Sequence, residues 1–200
     1  QLESRPFAVG FRVEHPQELI NEIRYGKRHA NTPSLPAADY KLSHTEKRHE
    51  GRGIYSFCMC PGGVVVPTPT IPGELCINGM SHAARSGRFA NSALVVTVRP
   101  EDYGSEGIFA GPIFQRRIER AAYLAGGGNF TAPASILTDF LAGKSTQPLG
   151  STSYRRGLAQ ADLSNLYPET IINSLKKGLA TFDVKLKGYL TNEATLIGVE

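Results

Sequence analysis

Two cysteines one residue apart, Cys58 and Cys60 in "FCMCPGG", are the residues of this chain whose type and spacing most directly suggest chemistry. A close thiol pair can cycle between dithiol and disulfide, bind a soft metal, or fill space as small apolar groups. Spacing bears on each reading. On an extended strand residues i and i+2 share a face, with Cα atoms roughly 6.5–7 Å apart, the upper limit for a disulfide. The pair lacks the C-x-x-C spacing at a helix start that lowers a thiol pKa in thioredoxin-like proteins. A zinc site would have to combine Cys58 and Cys60 with Cys76 and His82, and C-x-C without a second pair matches no standard zinc spacing. Composition alone favours packing. The residues leave all three readings open.

The surrounding residues extend the list. Gly62 and Gly63 permit a backbone approach that a side chain would block, or simply make a turn. Arg85 and Arg88 in "ARSGRFANS" suit an anionic substrate or phosphate, although loop arginines are usually only solvated. The sequence has no G-x-G-x-x-G after a strand, no Walker loop and no G-x-S-x-G. "LAGGGNF" follows a helical pattern and so is not a dinucleotide loop, and the five histidines have no serine or cysteine partner at a recognisable spacing.

The elements that must position these residues follow from periodicity. "PFAVGFRVEH" alternates, with Phe7, Val9, Phe11 and Val13 on a buried face and Ala8, Gly10, Arg12 and Glu14 on the other. "PQELINEIRYGK" predicts a short helix stopped at Gly26, and "KRHANTPSLPAAD" a loop. "GIYSFCMC" predicts a strand that "PGG" interrupts before "VVVPTPT" resumes. Period two puts Ile54, Ser56, Cys58 and Cys60 on one side and Tyr55, Phe57 and Met59 on the other, bulkier, core side. The cysteines would then look away from the main packing.

"LCING" reads as a strand closing in an Asn78-Gly79 turn, "MSHAARSGRFANS" as a polar loop and "ALVVTV" as a buried strand. Pro112 opens a helix ended by the glycines at 126–128, with Ile113, Phe114, Ile118, Ala121 and Ala122 as its apolar face. "APASILTDFLAG" predicts a second helix. The longest begins near Pro168, carrying Ile171, Ile172, Leu175, Leu179, Phe182 and Leu186. "ATLIGVE" predicts a last strand.

At 200 residues, with 40% hydrophobic and 20% charged residues, the chain reads as one soluble globular domain. No apolar run approaches the roughly 20 residues of a membrane helix, and the first residues lack signal-peptide zones. Three cysteines are not a disulfide framework, and an odd count fits a reducing, cytoplasmic compartment. The net charge of +4 and pI of about 9.0 permit acidic partners. The basic residues are scattered beside acids, however, which favours a solvated surface over RNA binding.

Several stretches, in order along nearly the whole chain, resemble one family. "AVGFRVEHPQELINEIRYG", "LPAADYKL", "YSFCMCPGGVVVPT", "INGMSHAARSGRFANSALVVTV", "FQRRIERAAYLAGGG" and "LIGVE" are similar to the uncharacterised bacterial FAD-dependent dehydrogenases (NAD/FAD-utilising dehydrogenase-like proteins). The resemblance implies an oxidoreductase whose FAD-binding Rossmann-type domain, with its glycine-rich loop, lies upstream of this region. It makes residues 1–200 the inserted cap or substrate domain, joined to that domain at its first and last strands. It implies that Cys58 and Cys60 are catalytic, and that Pro61, Gly62, Gly63, Asn78, Gly79, Met80 and Ser81 face the flavin. Arg85, Asn91 and Ser92 would line the site of an unknown small-molecule substrate. The chain by itself would bind FAD weakly and be inactive. The expected fold is α+β, a mixed and largely antiparallel sheet with three to four helices. The competing reading is a binding or interaction module with structural cysteines.

Overall fold

A computed structural model of the chain describes residues 3–46, 51–104 and 107–200. Apolar alternation builds its centre. β1 (Phe7–Pro16) is flanked by β5 (Phe89–Val98), pairing Phe11 with Leu94, and by β8 (Thr195–Ile197), pairing Arg12 with Ile197. β2 (Ser43–Thr45) and β3 (Gly53–Pro67) continue beyond β5, and β6 (Ala132–Ile136) and β7 (Leu158–Gln160) beyond β8. The order is β2-β3-β5-β1-β8-β6-β7, and β4 (Ile77–Ser81) pairs with the far half of β3. All pairings are antiparallel except β6 with β7. The helices are α1 (Gln17–Tyr25), α2 (Ala110–Ala125), α3 (Leu137–Ala142) and α4 (Glu169–Lys185). The fold is α+β with a mixed, mostly antiparallel sheet, as the sequence predicts.

Five local expectations are corrected. β1 is buried on both faces, because Gly10, Arg12 and Glu14 lie beneath other chain segments instead of facing water. "PGG" does not interrupt β3, which absorbs it as a bulge. Asn78 and Gly79 sit inside β4, since their partners Val66 and Val65 extend the ladder through them. The first half of "APASILTDFLAG" is β6, fully buried between β7 and β8, and the helix α3 begins only at Leu137. Tertiary pairing overrides local propensity there. Ile113, assigned to the apolar face of α2, is exposed at 58%.

α4 packs on β2, β3 and β5 through Ile171, Ile172, Leu175, Leu179 and Phe182, all buried. It lies so close that a Cβ at Gly178 would stand 2.4 Å from Ile54 Cγ2 and 3.0 Å from its Cβ. Ile54 is fully buried and β-branched, so it cannot swing aside. Alanine is the better helix former by about 1 kcal/mol. Overpacking a core costs about 1–3 kcal/mol. Gly178→Ala is therefore expected to destabilise the chain in urea unfolding. An unchanged or higher midpoint would contradict the close approach.

Candidate functional site

The stretch "FCMCPGG" is a double β-bulge. Between the pairs Phe57–Ala93 and Cys60–Asn91, β3 takes three steps while β5 takes two, and the same happens between Cys60–Asn91 and Gly63–Phe89. Each extra residue is absorbed at a left-handed backbone position, φ 43° at Cys58 and φ 55° at Gly62. For a non-glycine residue this conformation costs about 1–2 kcal/mol. The first bulge breaks the period of two. Ile54 and Ser56 form the core face, Met59 also packs on the core, and Cys60 comes round to the side of Tyr55 and Phe57. The expected shared cysteine face is thus corrected: Cys58 is exposed and Cys60 buried, and both are free thiols.

What holds the bulge is Arg12, whose side chain is fully buried. Its Nε–H donates to Asn91 Oδ1 at 2.8 Å. Nη1 donates to Glu200 Oε1 and Oε2 at 2.7 and 2.9 Å and to Asn78 Oδ1 at 3.3 Å. Nη2 donates to the Cys58 carbonyl at 2.6 Å and to Cys60 Sγ at 3.3 Å. The guanidinium's five N–H donors therefore meet five acceptor groups drawn from β3, β4, β5 and the segment that follows β8. Burial pushes the Glu200 carboxyl pKa up, and the Arg12 charge opposes that rise. Gly79 lies flat against the guanidinium, where a Cβ would stand 1.9 Å from Nη2 and 2.1 Å from Asn91 Oδ1.

The second bulge is stitched to its neighbours. Gly62 N–H donates to Gln17 Oε1 at 2.6 Å, Gly87 N–H donates to the Gly62 carbonyl at 3.1 Å, and a Gly62 Cβ would meet the Arg85 carbonyl at 2.0 Å. A Gly63 Cβ would meet the Met80 carbonyl at 2.4 Å. The space that glycine opens at Gly62, Gly63 and Gly79 is filled by the chain's own atoms.

The other expected site residues divide by position. Pro61 is buried with Gly62 and Gly63, whereas Asn78, Met80 and Ser81 are exposed on β4. Arg85, also left-handed at φ 47°, is exposed beside an open cleft at the start of α1, shared with Arg88. Asn91 and Ser92 are fully buried. Among the described residues Asn91 Nδ2 has no hydrogen-bond partner, and Ser92 Oγ shares a 2.9 Å hydrogen bond with Tyr40 OH. Tyr40 packs edge-on against both His15 and Tyr189, which are tilted against each other in one buried cluster, with His15 Nε2 2.8 Å from the Tyr189 carbonyl. Burial pushes the Tyr40 hydroxyl up to about 12 and His15 down to about 4. Cys76 lines a separate small cavity with Glu119 and Tyr167, and burial pushes its thiol up to about 11. Among the described residues no group of three or more His, Cys, Asp or Glu side chains could hold a metal.

The structure thus gathers Cys58, Cys60, Asn78, Gly79 and Asn91 around Arg12, and leaves Arg85 apart. Sequence reasoning missed Arg12, Glu14 and Glu200. Glu14 is buried, its pKa raised by burial, and it accepts from Ser153 N–H and Ser153 Oγ–H. The signal available was an Arg and a Glu two apart in a run otherwise of Phe, Val, Ala and Gly.

The chain belongs to the family described as "FAD-dependent protein, C-terminal domain-like", whose model matches residues 6–200. It is 45% identical over 201 positions to an uncharacterised protein of Clostridium beijerinckii, covering all of this chain. The chain spans 37% of that relative's length.

Removing Arg12 leaves the Glu200 carboxylate buried without its cation and the Cys58 carbonyl without its clamp. Arg12→Met is expected to lower stability by about 3–5 kcal/mol, read from denaturant midpoints. A loss below about 1 kcal/mol would show that the network contributes little. His15 titrates lower when folded than its ordinary 6.5, so the unfolded chain binds more protons between pH 6.5 and about 4. Its stability contribution is complete above that window and fades as pH falls through it. The stability advantage of His15→Gln over wild type should grow as pH drops from 6.5 to 4, and a pH-independent difference would contradict the buried neutral imidazole.

Proposed function

We propose that this chain is the cap or substrate domain of an FAD-dependent oxidoreductase of the uncharacterised bacterial dehydrogenase type, inserted into a longer flavoprotein. One observation carries the reading. The Arg12-clamped bulge presents Phe57 and Cys58, together with Asn78, Met80 and Ser81 of β4, to solvent on a rigid frame. This edge fits the ring end of a flavin, with Phe57 and Met80 as apolar surface and Asn78 and Ser81 as hydrogen-bonding groups. It does not fit the pyrophosphate, for which the sequence offers no glycine-rich loop between strand and helix. The phosphates accordingly belong to the rest of the protein. The antiparallel pairing of β1 with β8, continued by the Gly10–Glu200 backbone hydrogen bonds, is compatible with the insertion.

When bound, the flavin supplies the hydride chemistry. The residues of this chain position it and exclude water. Pro61, Gly62, Gly63 and Gly79 act as frame, allowing backbone segments to close on one another behind the edge. Asn91 orients Arg12 from within. Cys58 brings a thiol to the exposed side, while Cys60 accepts from Arg12 and donates to the Cys58 carbonyl at 3.3 Å. Free thiols support a cytoplasmic setting, and no helix among the described residues is long and apolar enough to cross a membrane.

In the full-length protein, Cys58→Ser/Cys60→Ser is expected to keep its FAD content and lose flavin reduction rate at least tenfold, measured by stopped flow. Unchanged reduction and reoxidation rates would favour the packing role that the burial of Cys60 suggests. The 200-residue chain alone should purify colourless, and a stoichiometric yellow FAD complex would overturn the assignment of the phosphate site to another domain.

A further inference from the structure

A second concavity opens beside the β4 edge. It is a cleft of about 410 Å³ between β3, β4 and the 153–156 segment, a size usual for small-molecule sites. Val64, Val66, Pro67 and Met80 give it an apolar lining, to which Arg155, Arg156 and His82 add basic groups. Both arginines are exposed, and neither forms an ion pair among the described residues. A carboxylate is close by in space, but it is spent elsewhere. Glu14 is buried and bound by the backbone and hydroxyl of Ser153, whose Oγ also accepts from Val65 N–H at 2.8 Å. Ser153 thus fixes the basic segment against β1 and β3 from behind and keeps the Glu14 charge turned inward. The cleft is left with an apolar lining and two arginines free of ion pairs among the described residues.

We propose that this cleft binds a small molecule with an apolar body and one carboxylate. The carboxylate meets the guanidinium groups of Arg155 and Arg156, which match its planar fork, and the body lies along Val64, Val66, Pro67 and Met80. Met80 and Ser81 belong to both the cleft and the proposed flavin edge, so the bound molecule lies next to that edge. The position relative to the flavin rests on the preceding proposal; the binding itself does not.

The test uses the full-length, FAD-loaded protein with decanoate as probe, and decanol and decyl phosphate as comparisons, in two readouts. Calorimetry reads binding. Decanoate is expected to bind saturably, at least tenfold more tightly than decanol, and Arg155→Gln/Arg156→Gln should weaken it at least tenfold. Met80→Glu, on an exposed position that tolerates polarity, should abolish binding by placing a like charge in the cleft. The flavin absorption spectrum reads proximity. Saturable, arginine-dependent binding without a flavin shift upholds the cleft and removes the flavin edge from β4. Absence of saturable decanoate binding overturns the proposal, as does equal binding by the double variant. Binding of decyl phosphate but not decanoate also overturns it.

Discussion

One guanidinium, that of Arg12, is fully buried where four strands meet, and the geometry around it follows from the need to satisfy it. An isolated buried charge is prohibitively unfavourable. Here Glu200 supplies the countercharge, and two asparagine carbonyls, a backbone carbonyl and a thiol supply the remaining acceptors. Such a pair is a weak source of net stability, because desolvation offsets most of its attraction. Its effect lies in direction: a planar fork with five donors admits one arrangement of its partners. That arrangement is what brings the cysteine bulge of β3 beside the Asn78-Gly79 segment of β4.

The bulges explain why glycines and a cysteine stand together. A β-strand re-aims its side chains by inserting a residue, and here each insertion sits at a left-handed backbone position. At Gly62 glycine accepts this without penalty. At Cys58 the penalty is offset by the Arg12 hydrogen bond to the Cys58 carbonyl. The outcome is a short exposed edge with apolar and polar groups on a buried base held by Arg12. Glu14 and Ser153 repeat the pattern one step along β1, anchoring the 153–156 segment to the same sheet.

The fold was legible where period and burial agree. The buried stripe of α4, the apolar run of β5 and the odd-numbered face of β1 all follow from sequence. The other face of β1 did not, since Arg12 and Glu14 look like solvent-facing residues until the segments that cover them are known. Asn78-Gly79 read as a turn because its dipeptide favours one, yet the Gly79 backbone is needed flat against the guanidinium. "APAS" lacked β-branched residues and still became a strand between two others. The candidate site was legible as a place, through its cysteines and glycines. It was not legible as a mechanism, because the residue organising it is charged, distant in sequence and hidden.

The contact between Arg12 and Glu200 also fixes the order in which the domain is completed. β1 is among the earliest parts of this region to be synthesised, and its partner β8, with Glu200, is the last. Until those residues emerge, one edge of the central strand stays unpaired and a cation waits inside a half-built core. Such non-local pairing is slow, and the exposed edge is prone to wrong partners. A nascent domain therefore keeps this edge of β1 unpaired until β8 has been made.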